Sequence, residues 1–271
     1  MIPAPFDYVR PASLEEAFEL LSKHGDDAKL LAGGHSLLPA MKLRLAQPKV
    51  VIDIARLPGL RGIRKDGDRF AIGPLTTHYE IESSDVLKKG CPLMPEVAAS
   101  IGDVQVRNRG TIGGSLVHAD PAGDWAAAML ALDAEMEIAA AGGSRTVPAR
   151  EFFVDIFQSA VGRNEILTAI RVPATGPKVA YEKFANRASG FAICAVAVVW
   201  IDGLRIGITG FAAIPFRAVT LEKELERETL DRNRAFSFDV EPLSDIHASA
   251  EYRTHLVEVC SQRAISRAMK K

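Results

Sequence analysis

Cysteine is scarce. The 271 residues include three, Cys91, Cys194 and Cys260, widely spaced and with no CxxC pair. Iron–sulfur sites and zinc ribbons gather cysteines at short fixed spacings, so neither is supported here. Reduced thiols of a cytoplasmic protein are the expected reading. No sign of charge dominates either. Lys plus Arg number 33 against 34 Asp plus Glu, a net charge of -1. That removes the electrostatic case for nucleic acid or an anionic membrane surface. Long apolar runs are missing: the longest, FAICAVAVVWI at 191–201, is too short to cross a bilayer as a helix. The first residues lack a basic segment followed by an apolar one, so no secretory signal is expected. What remains is an ordinary globular composition, 48% hydrophobic and 25% charged, long enough for two or three small domains.

SLEEAFELLSKHG at 13–25 predicts a helix. Ser13 and Glu16 have capping-box spacing, Leu14, Ala17, Phe18 and Leu21 share a face, and Gly25 offers a stop. Strands are expected at 28–32, 49–54 and 68–73, the last after a charged turn at RKDGD, and one or two helical turns at 36–45. Helices are read at 92–102 and, capped by Asp124, at 124–134, whereas 104–125 shows no helical period. Two strands surround a Gly-Gly turn in 134–149, and another fills 164–173. PATGPK at 173–178 reads as a linker. Beyond it come antiparallel strands at 178–185, 192–201 and 205–214, the last two joined at Asp202-Gly203, then helices at 220–230 and 250–269. The class is α+β.

Two glycine segments carry the chemistry. In LLAGGHSLLP, 31–40, Gly33 and Gly34 clear the way for main-chain N–H groups to approach an anion, and a helix starting at Ser36 would add its dipole. A plain structural turn is the competing reading. A dinucleotide fold would use Asp53, 20 residues after Gly33, but the loop has no third glycine and its helix is short and holds Pro39. Asp53 reads better as a strand-end acid capping the next turn. RGTIGGSLVHADPAGD, 109–124, is a second Gly-Gly segment, flanked by the hydroxyls of Thr111 and Ser115. Two such loops could enclose a diphosphate. Asp124 could accept from ribityl hydroxyls, cap its helix, or both.

LLAGGHSLLPAMKLRL and QVRNRGTIGGSLVHADPAGDW, with PAPFDYVRPASLEEAFELL at the start and SDIHASAEYRTHL in the tail, resemble the FAD-binding medium subunit of molybdenum hydroxylases. The resemblance is above all to the carbon monoxide dehydrogenase type, within the xanthine dehydrogenase family, and it runs essentially end to end. The resemblance implies a vanillyl-alcohol-oxidase-type (PCMH-like) fold. FAD-binding subdomains would span 1–57 and 58–175, and a C-terminal α+β domain of antiparallel sheet and helices 176–271. It implies that Ala32, Gly33, Gly34, His35, Ser36 and Leu37 meet the FAD diphosphate, with Thr111, Ile112, Gly113, Gly114 and Ser115 opposite. Lys29, Leu30 and Leu31 would lie along the flavin edge, His118 in the second loop, and Asp124 near the flavin or ribityl chain. Ile166 and Leu167 would pack on a ring. Lys183 would stand near the flavin, where a cation favours the reduced form; a solvated strand lysine is its alternative. Phe191 stands where carbon monoxide dehydrogenase relatives have a flavin-covering tyrosine, so the hydroxyl is lost.

Ser115, His118, Asp120 and Asp124 crowd one loop without a GxSxG elbow, which argues against a hydrolase triad. His118 and Asp120 have no further ligand nearby, so no metal site is expected. His24, His78, His247 and His255 are read as structural or solvent-facing. The run Arg107-Asn108-Arg109 faces either a sibling subunit or the FAD phosphates. The resemblance therefore implies an FAD electron-transfer subunit with no catalytic acid or base of its own. It would sit beside a large molybdenum–pterin subunit and a small iron–sulfur subunit, as a dimer of heterotrimers. The complex would be cytoplasmic, with membrane association through the partners left open. A self-sufficient flavin oxidase or reductase, or a nucleotide-binding module without redox chemistry, are the alternatives.

Overall fold

A computed structural model describes residues 1–227, 236–238 and 240–270. Three apolar clusters sit against three larger sheets. The first sheet is parallel. Strand β1 (Asp7–Val9), helix α1 (Leu14–His24), β2 (Ala28–Leu31), helix α2 (Leu37–Lys42) and β3 (Val50–Asp53) follow in order, with β3 between the other two strands. Every residue of β3 is buried, as a central parallel strand requires. Helix α1 shares a cluster with Val50 and Ile52 through Ala17, Phe18 and Leu21. Ser13 accepts from the Glu16 N–H at 3.2 Å, but Glu16 accepts in return from Ala12 N–H at 2.6 Å, one residue before the capping-box position. Asp53 accepts from the Ala55 N–H at 2.9 Å and from the Tyr8 hydroxyl, the turn-capping role expected of a strand-end acid.

The middle region holds β4 (Ile63–Asp66), β5 (Arg69–Ile72), α3 (His78–Ser83), α4 (Asp85–Gly90), α5 (Leu93–Ala99), α6 (Val104–Arg109), α7 (Ile112–His118) and α8 (Asp124–Ala131). Then come β6 (Glu135–Ala140), β7 (Gly143–Pro148), α9 (Ala149–Phe152), β8 (Phe153–Asp155), β9 (Gln158–Ser159) and β10 (Ile166–Pro173). Five strands form an antiparallel sheet in the order β4-β5-β10-β6-β7. Helix α8 is buried on every side, the mark of a helix enclosed between layers.

The last region is a second antiparallel sheet, β11 (Val179–Ala185), β12 (Ala192–Trp200), β13 (Leu204–Thr209) and β14 (Phe216–Arg217), in that spatial order. Helices α10 (Val219–Arg227) and α11 (Ala250–Met269) follow. Strand β12 is buried on both faces. Ala195, Ala197 and Val199 join the middle cluster, while Cys194, Val196 and Val198 join the cluster containing Leu256, Val257 and Ala264 of α11.

Several expectations are corrected. The stretch 104–125 contains α6 and α7, which are six and seven residues long and too short to display an apolar stripe. Side-chain caps define them: Asp103 accepts from Val106 N–H at 2.8 Å, and Thr111 from Gly114 N–H at 3.2 Å. Helix α8 is preceded by Gly123 as its cap, and Asp124 is inside the helix with its side chain engaged elsewhere. The charged turn at 64–68 shortens to Gly67 and Asp68, with β4 claiming the rest. The strand read to 214 stops at Thr209, where Gly210 turns the chain at φ +77°. The helix read over 220–230 is described to Arg227, and 228–230 lie outside the described residues.

Gly207 of β13 is where α8 meets the last sheet. A Cβ there would lie 2.0 Å from the Ala127 carbonyl oxygen. Gly207→Val is expected to destabilise the fold by at least about 2 kcal/mol, read by urea unfolding, because the obstacle is backbone and cannot rotate away.

Candidate functional site

The first glycine segment follows β2. Gly34 has φ +79°, a region that favours glycine. Gly33 serves a different purpose. A Cβ on it would sit 2.2 Å from the Arg109 carbonyl oxygen and 2.9 Å from Gly110 Cα, so the segment lies directly on the α6–α7 junction. Among the described residues, the N–H groups of residues 33–37 have no hydrogen-bond partner, and all five residues line one cavity. Consecutive unpartnered main-chain donors are the raw material of an anion-binding nest. His35 folds back, its Nδ1–H donating to Gly33 O at 3.3 Å.

The second segment is built differently. Ile112 N–H donates to Thr76 O at 3.0 Å, Gly113 to Pro74 O at 2.8 Å, and Ser115 to Thr111 O at 3.1 Å. Gly114 N–H is taken by the Thr111 hydroxyl. Its amides are therefore already used. What it offers the cavity is the missing side chain at Gly114 and the oxygens of Thr111 and Ser115. A Cβ on Gly114 would find only Thr111 Oγ1 at 2.9 Å and Ala32 Cβ at 3.8 Å. Gly113 is glycine for packing, since a Cβ would lie 2.3 Å from Pro74 Cβ.

The cavity measures about 680 Å³, within the usual size of cofactor sites. Of the expected residues, Lys29, Leu30, Ala32, Asp124, Ile166 and Leu167 line it together with both glycine segments. His118 lines it with its ring 5.1 Å from that of Phe157. Phe191 lines it too, half exposed after the turn at Gly190, φ +74°.

Three expected residues stand back from the wall. Leu31 is in β2, and Ile112 is fully buried in the middle core. Lys183 is sealed behind Asp124, with Nζ 2.7 Å from its carboxylate and donating to Ser100 O at 3.1 Å. Its side chain is 7% exposed, which also removes the solvated-lysine alternative. The Tyr181 hydroxyl donates to Asp124 at 2.6 Å. Burial pushes the Asp124 carboxyl above the usual carboxylate range, against the pull of Lys183 and Tyr181, and burial beside Asp124 raises Tyr181 as well.

One residue read in the sequence as structural or solvent-facing belongs here. His78 is buried, not solvent-facing, and lines the cavity; Trp125 of α8 donates to its Nδ1 at 3.1 Å. Burial, reinforced by His35 and Arg107, pushes His78 down to about 4. The capping-box spacing of Thr77 and Glu80 places His78 at the first position of α3, but nothing in the sequence points its ring inward. Arg107 turns to Glu82 at 2.8 Å and to the carbonyls of Ile101 and Gly102, while Arg109 is exposed.

Comparison with known proteins gives a consistent result. Residues 4–175 match the family model described as FAD binding domain in molybdopterin dehydrogenase, and 179–268 match the CO dehydrogenase flavoprotein C-terminal domain. The carbon monoxide dehydrogenase medium chain of Hydrogenophaga pseudoflava is 39% identical, covering 99% of this chain and 98% of that protein. The nicotine 6-hydroxylase medium subunit of Paenarthrobacter nicotinovorans is 38% identical over 95% of each. Among solved structures, carbon monoxide dehydrogenase of H. pseudoflava superposes with a TM-score of 0.92 at 40% identity, covering 100% of this chain and 99% of that one. Quinoline 2-oxidoreductase of Pseudomonas putida 86 superposes with a TM-score of 0.93 at 29% identity, covering 100% and 99%.

Two outcomes follow from the buried charges. Lys183→Met leaves the Asp124 carboxylate without its cation and is expected to cost about 3 kcal/mol in urea unfolding, with Asp124→Asn in the same chain recovering part of the loss. Below about pH 6.5 the unfolded chain takes up a proton at His78 that the folded chain refuses until about pH 4. Stability therefore falls as pH drops through that window. Unfolding free energies at pH 7 and pH 4.5 should differ by about 2 kcal/mol less in His78→Gln than in the natural chain.

Proposed function

We propose, because the chain belongs to the FAD-binding family of molybdopterin dehydrogenases, that it is the electron-transfer flavin subunit of a multi-subunit molybdenum hydroxylase. The observation that carries the reading is the nest of unpartnered N–H groups at 33–37, set against a second segment stripped of its side chain at Gly114. A diphosphate brings the anionic oxygens such donors need. The cavity residues fit FAD. The amides of 33–37 would hold the diphosphate and the hydroxyls of Thr111 and Ser115 would add donors. Asp124 would accept from the ribityl chain, and Ile166, Leu167 and Phe191 would flank the rings. Lys183 would act through Asp124, fixing that carboxylate. When bound, FAD accepts and passes on electrons singly or in pairs. The chain's own work is to bind it, orient it and keep water from one side.

The relatives named above act on carbon monoxide and nicotine, yet keep almost the whole length of this chain. That supports a shared flavin step here and substrate selection on another subunit. Three dispersed cysteines hold no cluster motif, so a small iron–sulfur subunit would deliver the electrons and a large molybdenum–pterin subunit would generate them. A dimer of heterotrimers, a cytoplasmic location and the division at 1–57, 58–175 and 176–271 complete the proposal. The three sheets support that division. Among the described residues no helix is long and apolar enough to cross a membrane.

The test is the visible spectrum of the purified full chain after incubation with FAD, with the released chromophore identified by mass. Flavin bands and recovered FAD are expected; a folded chain that takes up none contradicts the proposal. Gly114→Val should lose nearly all flavin, because apart from Thr111 Oγ1 at 2.9 Å, which must give way, its side chain enters the cavity rather than the protein's own backbone, and urea unfolding checks that the variant stays folded. A folded variant with full flavin content removes the second segment from the site. Gly33→Val is the poorer probe, since its side chain strikes the Arg109 carbonyl and separates the segments before any ligand is involved.

A further inference from the structure

Among the described residues, two buried titratable ones line the cavity, Asp124 and His78, and the proposed function leaves His78 unused. His78 begins α3 and is 4% exposed. Its ring is fixed by the Trp125 indole, which donates to Nδ1. An indole nitrogen is a donor only, so Nδ1 is the acceptor and the ring proton resides on Nε2. The ring is also neutral. Burial, with smaller contributions from His35 in the first glycine segment and Arg107 of α6, keeps it from taking a second proton until about pH 4. Nε2–H is thus a donor set in advance, with neither its tautomer nor its charge left to chance.

Its position is as specific as its protonation. The His78 main-chain N–H donates to Gly110 O at 3.0 Å. A Cβ on Gly110 would lie 2.8 Å from Nε2 and 2.9 Å from Cδ2, so the imidazole edge occupies the space that a side chain would take. Gly110 Cα is in turn 2.9 Å from where a Cβ of Gly33 would stand. Two successive missing side chains therefore bring the ring to the seam between the glycine segments. Among the described residues Nε2 has no hydrogen-bond partner. His78 is among the residues that line the cavity, and its Nε2 lies against Gly110 at the edge of the second glycine segment. A donor prepared this way and lacking a protein partner is available to a ligand oxygen.

We propose that Nε2–H of His78 is a ligand-binding donor to an anionic oxygen of the cofactor's diphosphate, with Trp125 as the residue that positions its proton. The inference rests on the proposed flavin function and adds a third contributor at the seam, beside the 33–37 amides and the Thr111 and Ser115 hydroxyls. A neutral imidazole brings a hydrogen bond to the anion without a second buried charge to desolvate. Its contribution is constant between about pH 5 and 8, where free histidine changes charge.

The test uses the full chain freed of flavin and titrated with FAD, ADP and riboflavin. His78→Phe keeps a ring and removes the donor. Affinity for FAD and ADP should fall about 10- to 100-fold while riboflavin binding stays unchanged. Trp125→Phe should produce a smaller loss with the same ligand profile. Equal weakening toward all three ligands would mark His78 as a structural residue and overturn the proposal, as would undiminished FAD and ADP binding. A readout without substitution comes from nitrogen-15 spectra of the labelled histidines in the natural chain. The expected His78 ring carries its proton on Nε2, does not titrate between about pH 5 and 8, and shifts with ADP but not riboflavin. A proton on Nδ1, or indifference to ADP, overturns it independently. A natural chain that binds neither FAD nor ADP would defeat the flavin function itself, and this inference with it.

Discussion

The backbone of Gly33 rests on the Arg109 carbonyl and on Gly110, closer than any side chain at position 33 would permit. That contact joins the small parallel sheet to the middle region, and the cavity's geometry depends on it. The junction it rests on is itself pinned. Ile112 and Gly113 donate to Thr76 and Pro74, and His78 donates to Gly110. The second segment spends its amides on this anchoring. The first keeps its amides unspent. An anion entering between them meets donors from one side and clearance, hydroxyls and an imidazole from the other. The two glycine motifs look alike in sequence, but the fold gives them different work.

The far wall is held by charge. Asp124 lies at the cavity with Lys183 and Tyr181 of β11 behind it, which ties the last sheet to the site. A second cluster reinforces the tie: Arg267 of α11 bridges Glu96 of α5 and Glu182 of β11, and Glu96 accepts from the Tyr181 N–H at 2.7 Å. Buried ion pairs add little net stability, yet breaking one is expensive, so they fix geometry more than they strengthen the fold. The consequence for function is a carboxylate whose position is set by the C-terminal region even though the cavity is mostly formed by the other two.

Much of this was legible in the residues. The glycine segments and Asp124 were named from their residues, the apolar pair Ile166 and Leu167 by the resemblance, and all of them line one cavity. Helix α1 was legible because its apolar face repeats over three turns. Helices α6 and α7 were not, because they end before a period can form and are defined by single caps at Asp103 and Thr111. Lys183 was placed near the flavin by the resemblance alone, and its pairing with Asp124 depends on which way β11 faces, which no local pattern records. His78 was missed for the converse reason: its role comes from Trp125 and Gly110, 47 residues away along the chain in the first case, and no local pattern records that meeting.

The most direct measurement is amide hydrogen exchange of the full chain with and without FAD. The account predicts a marked slowing at residues 33–37, whose N–H groups gain partners, and little change at 112–115, whose N–H groups are already bonded. Riboflavin, which lacks the diphosphate, should leave 33–37 exchanging as in the free chain. Unchanged exchange at 33–37 in the presence of bound FAD would contradict the claim that this nest holds the cofactor's anionic centre.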